Sequence, residues 1–198
     1  MRNGPDANQA MTLGVAQESP WRFSTFELLL LGMFAALVAV ANLVLRLPIR
    51  MPGHSGVVWM ALLVTARAVV PKLGAATTGG LLSGLMAALL GVGDGGALDT
   101  LLSYTAAGAG VDVAVAVCRR PQRPLPCAVA GASGNLAKLA IKIALQLWIG
   151  IPTGFVLLGH SYPAVTHVVF GLLGGYLGFL VVGALRRAGL FAYLAARR

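Results

Sequence analysis

Apolar residues run in six long stretches along this chain, at 26–47, 56–70, 74–90, 98–118, 127–149 and 162–185, and polar residues gather between them. A helix needs roughly 20 apolar residues to cross about 30 Å of hydrocarbon. The pattern therefore predicts an all-α membrane protein, a bundle of six transmembrane helices over residues 26–185. The second and third stretches are shorter than the rest and predict helices that tilt, thin the bilayer or run under flanking loops. The first 25 residues show no periodic apolar face and are expected to form a disordered tail. The apolar run that follows them is too long for the core of a signal peptide and lacks a small-residue cleavage site. Residues 186–198 form a second, basic tail.

Charge orients the bundle. Alternate connections carry Arg2, Arg22, Arg67, Lys72, Arg119, Arg120, Arg123, Arg186, Arg187, Arg197 and Arg198, eleven of the 15 basic residues. The opposite connections carry only Arg46 and Arg50, with Asp94 and Asp99 in the third connection, and Lys138 and Lys142 lie inside a span. Eleven against two over short loops places the first set on the cytoplasmic side. Both termini are then cytoplasmic, which fits an even number of spans.

Composition changes little in this picture. Charged residues make up 11% of the chain and hydrophobic ones 58%, so the net charge of +9 reads as a topological anchor against anionic lipid rather than a nucleic-acid footprint. Cys118 and Cys127 flank a basic inner loop, where a reducing compartment disfavours a disulfide. Without nearby histidines they do not make a zinc site.

The many glycines inside the spans point to close helix packing, most clearly Gly171, Gly174, Gly175 and Gly178 in the last span and Gly79, Gly80 and Gly84 in the third. In the first span, Ala35 and Ala39 form a small-residue face one turn apart. That face suits packing within the chain or docking of another membrane subunit equally well.

Polar residues inside a membrane are costly and tend to face a cavity or a partner. Asn135, Lys138, Lys142 and Gln146 fall at offsets of three, four and four, on one stripe of the fifth span. Lys138 is placed to pair with Asp112 in the fourth span or to snorkel; Lys142 lies higher and is the candidate ligand. The outer half of the bundle also collects His54, Trp59, Asp94, Asp99, Tyr104, His160 and His167. Tryptophan and tyrosine at that depth often form an interfacial belt. The convergence of histidines, carboxylates and the Lys142 stripe instead favours an outward-facing concave site for a small polar or aromatic solute. The expected binding residues are His54, Trp59, Tyr104, Lys142, Gln146 and His167, with the proline- and glycine-bearing loop at 48–54 as a lid.

No catalytic arrangement emerges. Gly131-Ala132-Ser133-Gly134 matches the GxSG pattern of rhomboid proteases, but Ser133 near the inner end of its span and His167 near the outer end of its own are expected to lie roughly 15 Å apart in depth. Rhomboids also place a further span between these two residues. There is no phosphate-binding loop, haem-attachment motif or acidic metal cluster, so no cofactor and no enzymatic activity are expected, and any ATPase must come from a partner.

Size, topology, the short second and third spans and the Ala35-xxx-Ala39 face together resemble the substrate-binding S component of energy-coupling-factor transporters. The resemblance covers nearly the whole chain after the polar tail. It implies a multi-pass protein of a bacterial-type plasma membrane that binds a vitamin-like solute from outside. It also implies a scaffold transmembrane subunit docked on Ala35 and Ala39 and coupled to two cytoplasmic ATPases. Residues 67–112, with Pro71-Lys72-Leu73-Gly74-Ala75-Ala76 turning into the third span, look like the thiamine-precursor type. The histidine-containing N-terminal motif of the cobalt and nickel members is absent, since Met1-Arg2-Asn3 opens a polar tail, which points away from those ions. Two other readings stand beside this one. A stand-alone secondary transporter or channel would use Lys138, Lys142 and Asp112 as coupling groups, and a structural membrane protein would use none of the outer polar residues.

Overall fold

The computed structural model describes residues 22–44, 51–93, 95–118 and 123–195. The expected N-terminal tail up to residue 21, Arg46 and Arg50 with loop residues 48–50, Asp94, Arg119 and Arg120, and Arg197 and Arg198 lie outside the described residues. Six main helices follow the six apolar stretches: α1 (Thr25–Val44), α2 (Gly56–Val69), α3 (Ala75–Leu89), α4 (Ala97–Cys118), α5 (Pro124–Trp148) and α6 (Thr153–Arg187). A short α7 (Leu190–Ala195) follows, and no strand occurs among the described residues. Among the described residues four helices, α1, α4, α5 and α6, are long and apolar enough to cross a membrane. At 14 and 15 residues, α2 and α3 span only about 21–23 Å.

The helices close into a ring. α1 packs on α3, α3 on α4, α4 on α5, α5 on α6, α6 on α2, and α2 back on α1. α2 also touches α3, α4 and α5, and nine of its 14 residues are buried, so it is the innermost helix. Its shortness is tolerated because protein rather than lipid surrounds it.

Two faces of α6 show how the ring tightens. Side-chain carbons added at Gly171 and Gly175 would strike the backbone of α5 at Gly131, Ala132 and Cys127, and one added at Gly174 would lie 2.7 Å from the Val57 carbonyl of α2. Only glycine permits that approach, and in lipid such van der Waals packing replaces the drive that water supplies. α6 starts nine residues before the apolar stretch that predicted it and runs through Pro163. A proline removes one helical hydrogen bond, but a membrane helix re-satisfies the freed groups locally.

One end of the bundle is basic and tied together by two carboxylates. Ser24 and Glu27 form a capping box at the start of α1: the Glu27 amide donates to Ser24 Oγ at 3.2 Å and the Ser24 amide to Glu27 Oε2 at 2.9 Å. Glu27 also receives Lys72 Nζ at 2.8 Å from the α2–α3 turn. Asp112 of α4 receives the Thr77 amide and hydroxyl, both at 2.8 Å, and so caps the start of α3 from another helix. The same carboxylate lies 2.9 Å from Arg67 Nε at the end of α2. The expected Lys138–Asp112 pair is therefore replaced by Arg67–Asp112. Asp112 stands eight residues from Tyr104 on α4, about 12 Å in depth, and Tyr104 is the level at which Lys138 sits.

Ala35 and Ala39 are each 1% exposed, with Leu31, Phe34 and Val38 on the same inward face of α1. Of the two uses open to that face, the fold employs internal packing. The expected docking role for Ala35 and Ala39 would therefore require α1 to separate from α2 and α3. The side of α1 that faces out bears Leu29, Met33, Leu37, Val40 and Leu43.

Candidate functional site

At the end of the bundle opposite the two carboxylates, α1, α2, α4, α5 and α6 turn polar side chains toward one buried cluster. Gly56 and Trp59 lie one turn apart on α2; Asn135 and Lys138 do the same on α5. Gly56 faces Asn135 so closely that an added side-chain carbon would lie 2.6 Å from both amide atoms. Asn135 is fully buried and donates from Nδ2 to the His167 carbonyl of α6 at 2.9 Å. One turn further on, Lys138, 5% exposed, places Nζ 4.6 Å from the centroid of the Trp59 ring and 5.8 Å from that of Tyr104. The two rings are tilted by 34° with centroids 4.5 Å apart. Tyr104 accepts at its hydroxyl from Asn42 Nδ2 of α1 at 2.9 Å.

The turn before α2 covers this cluster. Gly53 has φ +82°, a conformation glycine adopts without penalty, and its Cα hydrogen side presses on the His167 ring, where an added carbon would be 2.9 Å from Nδ1. His167 Nδ1 lies 2.7 Å from the Pro163 carbonyl, which can only accept, so Nδ1 carries the proton. A neutral imidazole then offers Nε2 as an acceptor.

Two polar atoms in the cluster stand out. Of the three side-chain atoms buried without a hydrogen-bond partner among the described residues, two lie here, Trp59 Nε1, a donor, and Asn135 Oδ1, an acceptor, and the third is Arg67 Nε at the other end. Each such atom costs about 1–3 kcal/mol. A solute with one acceptor and one donor would remove both penalties. The Lys138 ammonium over an aromatic face gains about 0.5–2 kcal/mol, and the same ammonium can serve an anionic or electron-rich ring.

Of the six residues expected to bind solute, Trp59, Tyr104 and His167 meet here. His54 sits on the covering turn, with Nδ1 directed 2.6 Å back to the Met51 carbonyl. Lys142 and Gln146 lie about 6 and 12 Å further along α5. They line a different, open depression of about 390 Å³ with Leu98, Asp99 and Trp148, between the start of α4 and the end of α5. Lys138, and not Lys142, lies in the cluster with Trp59 and Tyr104. Asn42 and Asn135 complete the cluster; the signal for Asn42 is its position as a lone amide after a long apolar run in α1.

The depth argument against a serine–histidine pair does not hold. Asn135 meets His167, and Gly131 meets Gly171 and Gly175, so Ser133 and His167 differ by about 3–6 Å in depth. What separates them is direction. Ser133 is about 200° around α5 from both Gly131 and Asn135, and its carbonyl packs against Gly110 of α4.

A family model described as "ABC-type cobalt transport system, permease component" matches residues 24–140, more than half of the chain. The chain belongs to this family. It is a multi-pass membrane component of an ABC-type transport system and works with other subunits of such a system. The match begins at the Ser24 capping box and ends two residues past Lys138, so this permease-family region contains Asn42, Trp59, Tyr104, Asn135 and Lys138, while His167 lies beyond it. Neither a search of curated proteins nor one of solved structures finds a match.

Proposed function

We propose that this permease-family chain is the substrate-binding membrane subunit of an ATP-driven uptake transporter, of the S-component kind. Its solute is a small flat vitamin-like ring compound held by Trp59, Tyr104, Asn135, Lys138 and His167. The observation that carries this is the pair of buried unpartnered atoms, Trp59 Nε1 and Asn135 Oδ1, beside an aromatic pair and an ammonium. An aromatic slot with a few directed polar groups suits a planar solute. ATP hydrolysis is assigned to partner subunits and no catalytic role to this chain. The basic end faces the cytoplasm of a bacterial-type cell, six helices cross or nearly cross the bilayer, and both termini lie inside.

The family's description names cobalt. Among the described residues no group of three or more His, Cys, Asp and Glu stands together to hold a metal ion. The cluster instead offers an imidazole, two amides and a cation, and Lys138 would repel a bare divalent ion. Arg67 and the start of α3 already occupy Asp112, which gives that carboxylate an anchoring task in place of the coupling task a secondary transporter would ask of it.

The test is direct. Protein purified under mild detergent should carry a small heteroaromatic compound identifiable by mass spectrometry. The stripped protein should rebind that compound and leave Co²⁺ unbound by calorimetry. Tight Co²⁺ binding with no organic solute would overturn the reading.

A further inference from the structure

At the basic end of the bundle, α7 covers the seam between α1 and its neighbours. α6 closes on Ala188, and the Gly189 amide donates to the Arg186 carbonyl at 3.0 Å. Gly189 has φ +77°, so the chain leaves α6 through a left-handed turn of the kind that ends many helices. The turn brings α7 to the place where α1, α2 and α3 meet. There Leu194, 4% exposed, belongs to an apolar cluster with Leu31 and Phe34 of α1, Val69 at the end of α2, Val70 just beyond it, and Ala75 at the start of α3. Residues from four helices thus share one small core, and the last helix contributes to it through Leu194.

That helix owes its existence to the contact. An isolated helix shorter than roughly 12–15 residues is marginal in water, and α7 has six. Ala192 and Tyr193 are exposed, so the buried side of α7 is narrow. Unseating Leu194 removes the packing that orders the segment, which makes α7 an element with two states, seated and released.

The seam beneath it has little else to hold it at this end. α1 packs on α2 and α3 along one side only, and its other side is exposed at Leu29, Met33 and Leu37. Lys72 of the α2–α3 turn pairs with Glu27 of α1, but the Lys72 side chain is 22% exposed, and a pair open to water is screened. The apolar contact made by α7 is the part of the closure that water does not weaken.

We propose that α7 is a strap. Seated, it holds the basic end of α1 against α2 and α3; released, it lets that end of α1 move away. Separation of α1 from the bundle is thereby conditional on the state of the last helix, whatever occupies the solute cluster at the other end.

Electron–electron distance measurements between two nitroxide labels test this on the full chain in lipid nanodiscs, in a background without Cys118 and Cys127. The first pair sits at Leu29→Cys on α1 and Leu125→Cys on α5, exposed positions on opposite sides of the ring. The second pair, Leu89→Cys on α3 and Leu125→Cys, is also exposed and leaves α1 out. With Leu194 in place, both pairs should give a single narrow distance. Leu194→Asp should add a longer population to the first pair and leave the second unchanged. Leu194→Ala should add a smaller share of the same population, and Leu194→Met and the exposed Ala192→Ser should add none. The proposal falls if the first pair is unchanged in both Leu194→Asp and Leu194→Ala. It falls equally if the two pairs broaden together in Leu194→Ala, since Leu194 would then support the whole bundle and not the seating of α1.

Discussion

The Lys138 ammonium lies 4.6 Å from the centre of the Trp59 ring, on the side of the bundle away from the carboxylate at Asp112. A buried cation lies on an aromatic face, one turn from an unpartnered amide oxygen at Asn135, and the proposed solute site rests on that arrangement. Lys138→Met keeps the apolar stem and removes the charge. Loss of one charged hydrogen bond costs about 1.5–3 kcal/mol, or roughly ten- to a hundredfold in Kd. Trp59→Phe removes only the indole N–H and a ring, and should weaken binding less. Calorimetry with the co-purified solute checks both, and unchanged Kd in Lys138→Met would remove Lys138 from the site.

The Gly53 turn should matter to binding more than to folding. Any side chain there meets His167 and occupies a left-handed backbone region, at a cost of about 1–2 kcal/mol. Gly53→Ala is expected to displace His167 Nε2 and reduce solute affinity several-fold, with a small change in unfolding temperature. Equal affinity in Gly53→Ala would show that the turn does not cover the solute.

Much of this fold was legible in the chain. Apolar runs gave five of the six main helices to within a few residues, because lipid demands continuous helix and the basic loops mark the ends. The start of α6 was not legible, since Pro163 reads as a boundary although the helix passes through it. The candidate site was half legible. Trp59, Tyr104 and His167 follow from polar groups gathered in one half of the bundle. The choice of Lys138 over Lys142 depends on the axial offset of α5 against α2, set by the contact of Gly56 with Asn135. A stripe on one helix carries no information about that offset. Ser133 shows the same limit, with depth misjudged because the register of α5 on α6 comes from glycine contacts between helices.

Ala35 and Ala39 now carry a stability prediction. Each is packed inside the chain, so Ala35→Leu should force overpacking that costs about 1–3 kcal/mol and lower the unfolding temperature in detergent. Met33→Ala, on the outward side of α1, should change it little. If Ala35→Leu left stability intact and abolished uptake, the small-residue face would return as a docking surface.

Basic residues should stay on one side of the membrane. Single cysteines introduced after residues 92, 121 and 155, in a background without Cys118 and Cys127, test this in intact cells. An impermeant maleimide should label the first and third and spare the second, given the loop charges. Labelling of the middle site alone would invert the bundle and turn the Trp59 cluster toward the cytoplasm.

Asp112 is expected to be the most sensitive polar residue for folding. It is 4% exposed, pairs with Arg67 at 2.9 Å and holds two donors of Thr77. Removing it leaves a partly buried guanidinium and the first turn of α3 unsatisfied together. Truncating one partner of a buried ion pair costs about 3–5 kcal/mol, so Asp112→Ala should lower the unfolding temperature strongly or prevent recovery from the membrane. Asp112→Asn keeps one acceptor for Thr77 and should fall between. Arg67→Met with Asp112→Asn removes both charges and should recover much of the loss. That recovery separates this pair from a proton-coupling role, in which Asp112→Asn would stop uptake while the fold stayed intact, and thermal unfolding measured beside uptake for the same three variants decides between them.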